Sequence, residues 1–149
     1  MRSVTRQEVG AAMAELIPDV IRGVQLEFFV GRGVTQTQLL ALIAIHAYGQ
    51  VTMGQLARSL QVRMPTMTGI VQRLTRGRYL QRMPGCDDRR QVVVRLTAKG
   101  RMFIQEFQGV IRHRWERVLR VLDPLELEAF YHVVTKLKTR LRTQPDPTS

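Results

Sequence analysis

The chain has one cysteine, Cys86, among its 149 residues, so no internal disulfide can form and the default compartment is the cytoplasm. Long apolar runs are missing as well. The richest, from Leu39 to Ala47, is interrupted by His46 and falls well short of the roughly 18 residues that a membrane span needs. No basic region followed by an apolar stretch opens the sequence, so a signal peptide is not expected there. Acids are scarce, at 12 Asp and Glu against 23 Lys and Arg, for a net charge of +11. Lysine is rare too: Lys99, Lys136 and Lys138 are the only three, and arginine supplies the rest. Arginine forks onto phosphates and guanine edges, which suits nucleic acid, although codon bias can favour it equally. The sequence has no nucleophile–base arrangement, no paired catalytic carboxylates and no glycine loop for phosphate. No enzyme and no cofactor are expected. His46, His113 and His132 are widely separated and lack metal-ligand spacing, so no metal is expected either.

What is present is enough apolar material, 44% of residues, for one domain with a real core. Residues 5–30 are helical by pattern, with Val9, Met13, Leu16 or Ile17, Val20, Val24 and Phe28 at three- and four-residue spacing. Pro18 should kink or break this helix, and Gly31 and Gly33 should end it. Thr35 with Gln38, and Thr52 with Gln55, have the spacing of capping boxes. Asp123 precedes Pro124 and Glu126, a further helix start. The implied helices are 35–48, 52–60, 64–77, 98–122 and 124–142. Two short strands, Tyr79–Met83 and the valine-rich Gln91–Leu96, are joined at Pro84-Gly85. The fold class is therefore mainly α with a small β wing, a winged helix-turn-helix arrangement. The last two helices are amphipathic, along Phe103, Phe107, Val110 or Ile111, Val118 and Leu122, and along Leu127, Phe130, Val134, Leu137 and Leu141. With little to pack against in a small DNA-reading core, they either fold back within the chain or pair with a second copy. Trp115 and Phe107 are expected either to line a pocket or to pack at the dimer interface, with packing the default. The tail 143–149, with Pro145 and Pro147, should fray.

Charge is concentrated between Gln61 and Arg101, where ten Lys and Arg (63, 73, 76, 78, 82, 89, 90, 95, 99 and 101) face two acids, Asp87 and Asp88. Such a surface is the footprint of a polyanion, here duplex DNA rather than a membrane. In helix 64–77, Met67, Ile70, Val71 and Leu74 mark the core stripe. At about 100° per residue the opposite side falls on Pro65, Gly69, Gln72 and Arg76, flanked by Thr66, Thr68 and Arg73. This side is small, hydroxylic, amide and guanidinium, suited to base edges and phosphates, with glutamine a reader of adenine. An ordinary solvated helix face would have a similar polarity, but the adjacent basic hairpin favours DNA. At the hairpin tip, Arg89 and Arg90 suit a minor groove, and Asp88 can brace one guanidinium.

Four stretches, VTQTQLLALIAI (34–45), VTMGQLARSLQV (51–62), PTMTGIVQRL (65–74) and DDRRQVVVRLTAKG (87–100), resemble the MarR (multiple-antibiotic-resistance regulator) family of winged helix-turn-helix transcription factors. The last contains that family's Asp-x-Arg…Leu-Thr-x-x-Gly pattern at Asp88, Arg90, Leu96, Thr97 and Gly100. The resemblance covers about residues 8–142. It implies a homodimer, usually a repressor, on a pseudo-palindromic operator. Helix 64–77 would lie in the major groove and the wing, with Arg89 and Arg90, in the minor groove. Residues 5–30 and 100–142 would dimerise around a DNA-binding core at 35–98, and a small aromatic or phenolic ligand would relieve binding. Two positions depart from the pattern. Arg63 replaces a capping serine, exchanging a cap for another phosphate contact, and Arg78 replaces a glycine that here comes one residue earlier, at Gly77.

Cys86 has no histidine neighbour in sequence and is read as a plain exposed thiol rather than a sensor or nucleophile. His46, on an apolar face, is read as a core histidine, with a ligand-binding role as the alternative. A sequence-nonspecific chromosome-binding protein is the second functional class compatible with the charge. The amide and hydroxyl groups of Gln72 and Thr68 argue against it, because phosphate binding alone does not need them.

Overall fold

The computed structural model describes residues 3–85 and 91–143. Cys86, Asp87, Asp88, Arg89 and Arg90, with the wing-tip expectations attached to them, lie outside the described residues, as does the tail from 144 onward.

The elements follow in the order α1 (Arg6–Phe28), α2 (Gln36–Tyr48), β1 (Gln50–Thr52), α3 (Met53–Ser59), α4 (Met64–Arg76), β2 (Leu80–Pro84), β3 (Val92–Leu96), α5 (Ala98–Val118), a 3-10 turn (Leu119–Val121) and α6 (Pro124–Thr143). Pro18 does not break α1, which runs unbroken through it. Its missing N–H costs one intrahelical bond that neighbouring turns tolerate. Thr35–Gln38 and Thr52–Gln55 are capping boxes, each threonine accepting from the amide three residues on. The carboxylate of Asp123 caps α6 by accepting from the Leu125 and Glu126 amides. A fourth N-terminal signal, Thr5 with Glu8, forms a capping box of the same type.

Strand β1 was not expected. It pairs antiparallel with β3, setting Val51 opposite Val94, and gives a three-stranded sheet in the order β1-β3-β2. Leu80, Val94, Leu96 and Val51 are buried beneath this sheet. The chain divides into two compact units, 1–112 and 113–149. The core of the first is wider than residues 35–98. Phe28, Phe103 and Ile104 are fully or almost fully buried with Leu42, Ile45, Leu56, Met67, Val71 and Leu74. Phe28 lies edge-on to Phe29, Phe103 and Phe107, with ring centroids 5.7, 5.0 and 5.0 Å away, and Phe103 meets Tyr79 at 5.1 Å. The first half of α5 therefore packs within the chain, the fold-back alternative for this helix, and Phe107 is half-buried against the core. In the second unit Trp115 is half-buried, while the apolar residues of α6 are exposed.

The turn after α4 carries its strain at Arg78. Gly77 has an ordinary helical φ of −71°, whereas Arg78 takes φ +61°. Glycine is needed at 77 for space: a Cβ there would lie 2.9 Å from the Tyr79 ring. Arg78 pays the left-handed cost itself, of order 1–2 kcal/mol. Arg78→Gly is expected to raise stability by about 1 kcal/mol, since a glycine at this point closes a helix without strain. Urea unfolding should show a higher midpoint at unchanged slope; a lower midpoint would mean that the arginine makes compensating contacts.

Candidate nucleic-acid interface

Helix α4 separates its two sides cleanly. Met67, Val71 and Leu74 are at most 2% exposed and Ile70 is 8% exposed. On the other side Arg63, Pro65, Thr66, Thr68, Gln72, Arg73 and Arg76 are all exposed, and Gly69 is half-exposed. The expected site residues of α4 thus share one solvent face, and the buried stripe fixes its direction. The side chains of Arg63, Gln72, Arg73 and Arg76 have no hydrogen-bond or ion-pair partner among the described residues, so their donors are free for a ligand. The Thr68 hydroxyl donates to the Met64 carbonyl, 2.9 Å away, and can still accept.

Gly69 is informative by what surrounds it. A Cβ placed there would meet nothing within 4 Å. Glycine inside a helix costs about 1 kcal/mol relative to alanine. Nothing within the chain demands that cost, so the bare backbone suits the close approach of a partner. The start of the helix shows the second departure from the family pattern: Arg63 occupies the N-cap and makes no side-chain cap bond, and Pro65 sits in the first turn. Proline removes one of the free amides, and those that remain can attract an anion.

Not every cation in the basic stretch is free. Lys99 donates to the Gly77 carbonyl at 2.8 Å and lies 4.4 Å from the centre of the Tyr79 ring. Arg101 donates to the Leu96 carbonyl at 3.1 Å. The Gln81 amide oxygen, in its favourable orientation, accepts from Arg95 directly opposite on β3. Arg82 is exposed on β2. Among the described residues of this stretch, the side chains of Arg63, Arg73 and Arg76 at α4 are left without partners, as are those of Arg78 and Arg82 in the turn and strand that follow.

The Leu96-Thr97-x-x-Gly100 run has a structural explanation. The Thr97 hydroxyl accepts from the Gly100 amide, capping α5, and lies 2.6 Å from the Arg78 carbonyl, to which it donates. A Cβ on Gly100 would stand 2.2 Å from the Tyr79 carbonyl oxygen. This contact binds the start of α5 to the turn that follows α4, a role the sequence did not disclose.

His46 is exposed at the end of α2, so the reading of it as a core histidine is corrected. Because α2 is apolar on almost every side, its periodicity could not tell the inward face from the outward one. No helix among the described residues is long and apolar enough to cross a membrane.

Comparison with known proteins agrees with this geometry. Residues 34–92 match the model of the MarR family. The chain is 25% identical over 104 residues to the uncharacterised HTH-type transcriptional regulator YfiV of Bacillus subtilis, covering 70% of this chain and 65% of that protein. It is 28% identical over 103 residues to the HTH-type transcriptional repressor NicR of Pseudomonas putida, covering 69% and 65%. The matched stretch thus spans slightly less than two thirds of either relative. The crystal structure of the transcriptional regulator Tm0710 from Thermotoga maritima superposes with a TM-score of 0.79 at 25% identity, over 92% of this chain and 96% of that one. Over residues 34–92, the stretch that holds the helix-turn-helix, the chain is thus similar to the MarR family.

Proposed function

We propose that the protein is a sequence-specific, DNA-binding transcriptional regulator that acts as a homodimer on a pseudo-palindromic operator, most simply as a repressor. The observation that carries this is the outward face of α4, where Arg63, Gln72, Arg73 and Arg76 are exposed, with no side-chain partner among the described residues, beside the bare backbone of Gly69. In this reading α4 lies in the major groove. Gln72 and Arg76 read base edges, and Thr66, Thr68 and Arg73 hold phosphates. Arg89 and Arg90 enter the minor groove, with Asp88 bracing one of them. Dimerisation through α1 and α6 is supported by their apolar residues, which a single copy leaves exposed: Val9, Met13 and Leu16 on α1, and Leu127, Phe130, Val134 and Leu137 on α6. Relief by a small aromatic or phenolic ligand rests on the resemblance to the family, and no residue of this chain is assigned to it.

Selection of binding sites from a random DNA pool tests the reading. The wild type should enrich a two-fold symmetric motif with half-site centres about 34–36 Å apart or a multiple of that. Gln72→Ala should change the preferred base at one position in each half-site, at a cost of about 1–3 kcal/mol there. An unaltered motif would remove Gln72 from base reading. No enriched motif at all would favour the chromosome-coating alternative.

A further inference from the structure

We infer that Lys99 is a positioning residue for the reading helix and not one of its phosphate contacts: it fixes the last turn of α4, which carries Arg73 and Arg76, against the first turn of α5. The inference rests on the DNA-binding reading above.

The buried stripe of α4 ends at Leu74. Beyond it Thr75 and Gly77 are half-exposed and Arg76 is exposed, so burial alone does not hold the final turn. Three of its carbonyls are satisfied along the chain. Arg73 accepts from the Gly77 amide, Leu74 from the Tyr79 amide and Thr75 from the Arg78 amide, each at 2.9 Å. The Gly77 carbonyl receives its donor from 22 residues away, the Lys99 ammonium. That ammonium sits at the negative end of the helix and over the face of the Tyr79 ring, both of which favour a cation. The backbone that carries Lys99 is held in place, because the next residue, Gly100, is pressed against the Tyr79 carbonyl and Thr97 is bonded to the Arg78 and Tyr79 carbonyls. A lysine with this many local partners is a poor candidate for a mobile phosphate contact, and a good one for holding a helix end in register.

The test compares wild type, Lys99→Met, Arg76→Ala and the double variant on the selected operator and on unrelated duplex, across a range of salt concentrations. Methionine keeps the length over Tyr79 and loses the charged donor. Operator binding by Lys99→Met should weaken about tenfold, the worth of one charge-assisted hydrogen bond. The salt dependence should stay unchanged, because no phosphate contact is lost. Binding to unrelated duplex should also stay unchanged, and the losses of Lys99→Met and Arg76→Ala should not add. A salt slope reduced by about one, with equal loss on both duplexes, would make Lys99 a phosphate contact and overturn the inference. Unchanged operator affinity, or strictly additive losses, would overturn it as well. A wild type without operator selectivity would instead remove the DNA-reading proposal, and the inference with it. A selective wild type beside an indifferent Lys99→Met would remove the inference alone.

Discussion

Gly100→Ala should destabilise the first unit by about 3 kcal/mol, the upper part of the range for forcing one extra carbon into a packed site. The added methyl would stand 2.2 Å from the Tyr79 carbonyl oxygen and 3.1 Å from a methyl of Leu96. The first of these is backbone, just before β2, and cannot rotate away. Relief would require α5 to withdraw from the turn after α4, which breaks the Thr97 hydroxyl bonds to Arg78 and Tyr79 and stretches the Lys99 bond to Gly77. Urea unfolding followed by circular dichroism measures the cost directly. A loss below about 0.5 kcal/mol, the scatter of ordinary surface changes, would show that the two segments are not in close contact. Gly69→Ala is the internal control, because its Cβ would meet open space. It should raise stability, by up to about 1 kcal/mol.

Phe130→Asp combined with Leu137→Asp should have the largest effect on DNA binding, although neither residue belongs to the reading face. Both lie on α6, at 38% and 48% exposure in the single chain. Burying a carboxylate in an apolar interface without a partner is strongly unfavourable, so the double variant should be monomeric. Two half-sites bound by one dimer gain through effective concentration, and losing this should weaken operator binding roughly 10²–10⁴-fold. The circular dichroism of the monomer should remain strongly helical, since the core around Phe28 and Leu42 is untouched. Sedimentation and operator titration on the same samples check both halves. A wild type that sediments as a monomer at micromolar concentration would sink the dimer, as would a double variant that stays dimeric with full affinity.

Features encoded within a few residues were legible in the sequence. Thr35 with Gln38, Thr52 with Gln55 and Asp123 with Glu126 announced three helix starts, and the stripe Met67, Ile70, Val71, Leu74 set the direction of α4. Thr5 with Glu8 carries the same spacing and was available to the same reasoning. Features that depend on distant partners were not legible. Strand β1 is three residues long and exists through its pairing with β3, more than 40 residues away. The bond from Lys99 to Gly77 and the close approach of Gly100 to Tyr79 join segments that only the folded turn brings together. Counting Lys99 and Arg101 with the free cations overstated the charge available to a polyanion, because the sequence does not reveal which side chains are already engaged.

The chain's only tryptophan, Trp115, belongs to the unit 113–149, while the ring cluster of Phe28, Phe29, Phe103 and Phe107 belongs to the unit 1–112. Intrinsic tryptophan emission is therefore a reporter planted on one side of that division. Excitation near 295 nm, which selects indole, would follow the surroundings of α5's end and would be largely blind to melting around Phe28. If the two units lose structure at different urea concentrations, emission and ellipticity will trace separate curves from one sample. A single fluorescence midpoint would then describe only the indole-bearing unit.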